Sequence, residues 1–311
     1  MPPEFAEFAG IYERDLRLTL EQKEQERKRA LDKAKKTGVI GLAVGIALVV
    51  LGLLIFRSPF AVIPGVLVGF GALFFGSSEL RKVASGGKDV MVKPVAERFG
   101  ITYNEEPSPE AETNLHKCRE LKVLPSWDRM SLQDEMLGQR NGRHFEFFEA
   151  HLEDQRTRTD SEGRTRTEWV TVFRGQCWVL ETPKTFLGET RVSRDAGLFN
   201  ALGGLGSKFN RVRLEDPEFE KLFEVYGTDQ VEARFLLTPD VMQAFLDLEE
   251  AFKGGRLRCT FSGNRTYVAI EGGNLFEMNA MFKSFDDPER VGDLLEDFAA
   301  MFHLVDVLGK K

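Results

Sequence analysis

The sequence predicts an α+β protein held at a membrane: an N-terminal helix, a two-helix transmembrane hairpin, then a mainly antiparallel sheet packed with two helices. Three observations predict it. Between Thr37 and Gly76 the only charged residue is Arg57. Beyond Trp127 the chain turns to short runs rich in β-branched and aromatic residues, punctuated by Asn-Gly and Gly-Asn pairs. Two late segments carry apolar residues at helical spacing. The resulting division is 1–36 N-terminal helix, 37–79 hairpin, 80–126 linker with some helix, and 127–311 α+β domain.

Residues 4–36 read as a helix, with Phe8, Tyr12 and Leu16 four apart and Glu24 one turn before Lys28. The apolar stripe fades after Leu20, so the second half reads as a solvated, membrane-proximal helix. The first apolar run, TGVIGLAVGIALVVLGLLIF over 37–56, is long enough to cross roughly 30 Å of hydrocarbon. The second, FAVIPGVLVGFGALFFG over 60–76, is at the short end of the spanning range and has Pro64 in its first turns. Arg57-Ser58-Pro59 is the loop between them. Gly41-x-x-x-Gly45 and Gly65-x-x-x-Gly69 let helix backbones approach closely, either within the hairpin or in a homo-oligomer. Neither span holds an ionisable side chain, which opposes a channel or carrier.

Cationic residues flank both outer ends: Arg27, Lys28, Arg29, Lys33, Lys35 and Lys36 before, Arg81, Lys82, Lys88 and Lys93 after. The positive-inside rule then places both termini in the cytoplasm. The long hydrophilic stretch before the first span does not read as a secretory signal. A net charge of −7 gives no electrostatic reason to expect nucleic acid. The 3 cysteines, Cys118, Cys177 and Cys259, match no zinc or redox spacing and suit a reducing compartment.

After a linker whose helix falls near Val90–Phe99, NEEPSPEAE (Asn104 to Glu112) reads as a loop. EMLGQRNGRHFEFFEAHLE reads as a hairpin turning at Asn141-Gly142, two residues that tolerate positive φ. The next strand, EWVTVFRGQCWVL, spans Glu168 to Leu180. Between these, DQRTRTDSEGRTRTE balances its charges and reads as a solvated hairpin tip. Shorter strands follow at 189–193, 211–214 and 222–226, and a second hairpin, 256–261 and 265–271, turns at Gly263-Asn264. One helix opens at Thr238-Pro239 and presents Val241, Phe245, Leu248 and Phe252. The other opens near Asp287-Pro288, presents Leu294, Leu295, Phe298, Phe302, Val305 and Leu308, and stops at Gly309. Strands in antiparallel runs with helices appended argue α+β.

FEKLFEVYGTDQVEARFLLTPDVMQAFLDL (219–248) and VFRGQCWVLETPKTFLGETRV (172–192) resemble the bacterial domain-of-unknown-function family 3137. LGQRNGRHFEFFEAHLE and the layout of aromatic arm, hairpin and domain resemble it too. That resemblance implies a bacterial inner-membrane protein and supplies no catalytic residues. Within the string, Asp229 caps a short helix and Glu232 stands at capping-box spacing; Glu232 and Arg234 are also a candidate binding pair.

The leading functional expectation is a non-enzymatic module that binds a protein partner or the lipid bilayer. The alternative is a membrane-tethered hydrolase drawing carboxylates from Asp216, Glu220, Asp229 and Glu232. In AGLFNALGGLGSKF, Leu198, Phe199 and Leu202 recur at helical spacing before Lys208, as in a helix lying in a bilayer interface. The other reading is a glycine-rich connection with its apolar side chains in the core. GGLGSK lacks the Gly-Lys-Ser/Thr order of a phosphate loop. His144 and His151, seven apart on one strand, point to opposite faces. His116, Cys118 and His303 have no second ligand pair at metal spacing, so neither metal nor cofactor is expected.

Overall fold

The structure, a computed structural model, describes residues 17–56, 63–68, 70–72, 74, 92–159, 163, 165–183, 185–194, 208–252, 255–273 and 288–309. The chain divides into two units, 1–94 with 277–293 and 95–276 with 294–311.

In the first unit residues 17–36 of the predicted N-terminal helix and the first span are one helix, α1 (Arg17–Phe56), 40 residues long, while Phe8, Tyr12 and Leu16 lie outside the described residues. The change from charged to apolar sequence at Thr37 does not interrupt it. Helical hydrogen bonds run through the backbone, and no proline falls between Arg17 and Phe56 to remove a donor. Leu20–Ile55 is the stretch, among the described residues, long and apolar enough to cross a membrane. The second apolar run is described as a shorter helix, α2 (Ile63–Ala72). At 1.5 Å per residue that is about 15 Å, half a hydrocarbon core, so the two full spans of the sequence reading are not what the described residues form. The loop Arg57-Ser58-Pro59 and Gly69 lie outside the described residues.

Gly41, Gly45 and Gly65 are buried. A Cβ on Gly41 would collide with Ala72, and one on Gly65 with the carbonyl of Gly45 and the side chain of Val49. The order of these pairs makes α1 and α2 antiparallel at close range. The other surfaces of both helices are exposed and apolar, including Ile40, Leu42, Leu54, Leu67 and Phe70.

The second unit is built on a nine-stranded antiparallel sheet, ordered β1-β2-β3-β4-β9-β8-β5-β7-β6. After a helix over 92–98 (α3) come β1 (Thr102–Asn104), α4 (Pro109–Glu120), β2 (Arg129–Arg140), β3 (Arg143–Thr159), β4 (Thr165–Glu181) and β5 (Glu189–Arg194). β6 (Asn210–Val212), α5 (Pro217–Leu222), β7 (Phe223–Gly227), α6 (Gln230–Leu236), α7 (Pro239–Ala251), β8 (Leu257–Ser262), β9 (Arg265–Glu271) and α8 (Pro288–Gly309) complete it. The hairpin turns fall where the sequence places them: Asn141 and Gly142 both have positive φ (53° and 74°), and Gly263 has φ 62°.

Three local readings change. The stretch read as a linker and loop supplies β1 and α4; Ser108 caps α4 and Pro109 takes its first turn, so the proline that suggested a loop starts a helix. The charged 154–168 segment is a two-stranded ribbon, paired as far as Thr159 with Thr165, with Arg158 and Glu168 2.9 Å apart across it. Arg156 faces Glu168 directly and Arg158 reaches the same carboxylate on the diagonal, which offsets the like pair Arg158–Arg166. Finally, α4 and α5 join the helices expected, and the short helix expected after Asp229 is α6.

Strand alternation sends apolar residues to both faces. Ala111, Leu115 and Cys118 of α4 pack on Phe148, Ala150, Cys177, Val179 and Ala269. On the other face Phe147 and Trp178 stack edge-on at 5.2 Å, and Trp178 meets Phe252, the residue after α7, at 6.1 Å. Phe298 and Phe302 of α8 gather with Phe99 and Phe145 on that side. Arg140, at the end of β2, grips Asp306 of α8 through two hydrogen bonds of 2.6 and 2.7 Å and lies over Phe302. A bidentate pair of this kind fixes orientation as well as distance.

Candidate functional site

Where α4 crosses the ends of β2, β3, β4 and β9, the sheet leaves a groove of about 420 Å³. Its polar lining comes from five elements: Glu110 on α4, Gln139 on β2, His144 and Glu146 on β3, Glu181 on β4 and Arg265 on β9. Strand register assembles them. Glu146 pairs with Val179 and Glu181 with Arg265, while the His144 amide donates to Glu181 Oε2 at 3.3 Å. Leu137 and Val179, the cross-strand partners of Glu146, provide an apolar floor.

Glu146 is 5 % exposed. Asn114, from the middle of α4, donates its side-chain amide to Glu146 Oε2, and Arg265 Nη1 donates to Asn114 Oδ1 at 3.4 Å. Glu146 Oε1 is buried without a hydrogen-bond partner. Burial is the main reason its carboxyl is pushed up to about 7; the negative charges of Glu135 and Glu110 add to the rise, while the Asn114 hydrogen bond and Arg265 oppose it. Next to it, burial raises the thiols of Cys118 and Cys177, with the Glu146 charge adding to the rise for both, so neither is a thiolate nucleophile. The groove thus holds a carboxyl that changes charge near neutrality, in an acceptor-rich wall. No serine, threonine, cysteine or lysine lines it.

The carboxylates named for a hydrolase have other work. Asp216 accepts from the Glu218 and Phe219 amides and caps α5. Glu220 accepts from Leu214 N at 2.8 Å. Asp229 caps α6 through Val231 N and Glu232 N. Glu232 does not turn back to close a capping box; it crosses to Leu187 N and Gly188 N at 2.9 and 2.8 Å. These four stand at backbone amides and do not converge on a cavity of their own.

Arg234 is exposed and donates to Arg213 O at 3.4 Å, so it and Glu232 do not form a pair. Beside them lies an apolar surface that the sequence reading missed. Leu187 is 94 % exposed, Val231 76 % and Phe235 53 %. Phe235 also lines a small cavity of about 80 Å³ with Phe186, Leu236, Val241 and Phe261. Val231 and Phe235 stand four apart on α6, a spacing visible in the sequence, yet only the fold shows that this stripe faces outward. Leu198, Phe199 and Leu202 lie outside the described residues; Lys208 is exposed.

The histidines separate as the strand period requires. His144 lines the groove, and His151 contacts Thr171 Oγ1 at 2.8 Å. His116 stacks on Trp127, and His303 lies 3.9 Å from Asp247. Among the described residues no group of histidine, cysteine and carboxylate side chains converges to hold a metal ion.

Residues 171–310 match the family model described as "Protein of unknown function (DUF3137)". The match does not include the upstream hairpin or the apolar helices, which the resemblance read from sequence had also covered. Comparison with curated proteins returns no match. Among solved structures, the chain is similar to the mycobacterial trehalose monomycolate transport factor A, TtfA, at 12 % identity over 71 % of this chain and 96 % of that one. The TM-score is 0.35, too low to carry an argument about function.

Proposed function

We propose that this chain is a bacterial inner-membrane protein whose α+β domain is a non-enzymatic binding module anchored by α1. The observation that carries the reading is the apolar surface of α1 between Val39 and Ile55, which is exposed along the helix instead of being packed into a core. In water such a surface is a large cost; in lipid it is solvated. α2 returns antiparallel to α1 through Gly41, Gly45 and Gly65, where small residues supply the van der Waals contact that drives association in lipid. In this reading the 60–76 run completes a hairpin, and the basic flanks put both termini in the cytoplasm.

Binding is favoured over hydrolysis because the Asp216–Glu232 carboxylates are engaged by backbone amides. The exposed Leu187, Val231 and Phe235 offer the apolar contact surface a module of this kind uses for a partner protein or the bilayer.

Alkaline carbonate extraction of membranes from cells expressing the full chain tests the anchor. The protein stays in the pellet if α1 is embedded in lipid; recovery in the supernatant would contradict the reading. Replacing Leu187, Val231 and Phe235 together with serine leaves membrane retention intact and abolishes crosslinking to whatever the domain contacts.

A further inference from the structure

We propose that the groove above Glu146 is a binding site for an alkylammonium group. This goes beyond the anchoring reading and does not depend on it. The groove's charged lining is three carboxylates, Glu110, Glu146 and Glu181, against one guanidinium, Arg265, which already donates to Asn114. An anionic ligand would meet net repulsion there. A metal ion is disfavoured because the oxygen ligands do not converge among the described residues. What Glu146 Oε1 lacks is a donor. Glu146 Oε1 is buried and unpartnered, and a buried acceptor left without a hydrogen bond is destabilising until a water or ligand donor reaches it.

An ammonium has three N–H donors and a positive charge; its alkyl stem matches the apolar floor of Leu137 and Val179. A cavity of about 420 Å³ accommodates a chain of this size, whereas a bare proton or water would leave most of it unused. The groups facing Glu146 are Glu110 and Asn114 from α4, Glu135 from β2, Glu181 from β4, Arg265 from β9 and His144 on its own strand. With the carboxylates in the majority, binding strengthens as Glu146 ionises and weakens as it takes up a proton. The same ammonium chemistry comes from a free amine or from a lysine side chain of another protein.

Isothermal titration of the full chain in nonionic detergent decides it, with n-butylammonium, Nα-acetyl-lysine N-methylamide and tetramethylammonium as probes. At about pH 8 the first two bind saturably, and binding falls on acidification to about pH 5.5, below the Glu146 transition. Tetramethylammonium, which has the charge without N–H donors, binds about tenfold more weakly or not at all. Glu146→Gln weakens the ammonium probes by about tenfold or more. Glu181→Gln, on the rim, weakens them by about threefold, which keeps the test open if Glu146→Gln fails to fold. A lysine derivative binding far better than butylammonium assigns the site to a partner's lysine; equal binding assigns it to a free amine. No saturable heat with either probe overturns the proposal, as does unchanged affinity in both variants or tetramethylammonium binding as tightly as butylammonium.

Discussion

Helix α1 and the nine-stranded sheet use the same apolar residue types in opposite ways. In the sheet domain, Phe147, Phe148, Trp178 and Phe298 are fully buried. In α1, Val39, Leu42, Ile46 and Leu54 are each exposed by more than half. The sheet residues are held out of water by other parts of their own chain. Those of α1 are not covered by its own unit, and among the described residues Gly41, Gly45 and Val49 face the neighbouring helix. Side chain type alone does not distinguish a core from a membrane surface; what packs against it does.

Mutations separate the two regimes. The largest expected effect is in the sheet: Phe147→Ala removes a ring packed edge-on against Trp178 and costs about 3–5 kcal/mol of folding stability, read by denaturant titration, without releasing the chain from membranes. Leu48→Arg in the middle of the apolar part of α1 does the reverse. It disfavours insertion by about 3 kcal/mol, read as loss from the carbonate-resistant fraction, and leaves the unfolding of the sheet domain unchanged. Should either variant disturb both readouts equally, the two regions are not independent.

Glu146 gives the next effect. Its folded-state value of about 7 lies above the ordinary 4.5, so between those values the folded chain keeps a proton that the unfolded chain has lost. Stability therefore falls as pH rises through that window and levels off above about 7. Glu146→Gln removes this dependence: it matches wild type below about pH 4.5 and is more stable by about 3 kcal/mol above about pH 7. Gly65→Val follows, because its side chain meets the Gly45 carbonyl and Val49; it weakens the α1–α2 contact by about 1–2 kcal/mol, read by crosslinking between cysteines placed on the two helices. The smallest effect is Arg158→Ala. It breaks an exposed ion pair on the β3–β4 ribbon and shifts stability by less than about 0.5 kcal/mol in thermal unfolding.

The legible parts of this chain were those set by local chemistry. The apolar run of α1, the Asn141-Gly142 and Gly263-Asn264 turns, the proline start of α7 and the apolar stripe of α8 follow from neighbouring residues, and the structure has each of them. The start of α4 was locally written as well, in Ser108-Pro109, but the surrounding glutamates and prolines read as a loop. The groove is different in kind. Its residues come from 110 to 265 in the sequence and meet only through the register of five elements. The trace it leaves in the sequence is slight: Glu146 between Phe145 and Phe147 fits the ordinary strand alternation of apolar and polar residues. A glutamate in that place either faces water or is buried for a reason, and choosing requires its cross-strand neighbours. Asp216, Glu220, Asp229 and Glu232 cluster along the chain, yet the first three serve a nearby turn or cap and Glu232 holds the amides of Leu187 and Gly188.

The most direct test of the anchored reading is a depth scan of α1 in liposomes. Single cysteines placed from residue 38 to residue 55 carry nitroxide labels, while the buried Cys118, Cys177 and Cys259 remain unlabelled under native conditions. Collision with oxygen, which partitions into lipid, and with a water-soluble nickel chelate reports the surroundings of each position. A helix crossing the bilayer gives oxygen accessibility that peaks near Leu48 and nickel accessibility that falls to a minimum there. High nickel accessibility throughout 38–55 would contradict it.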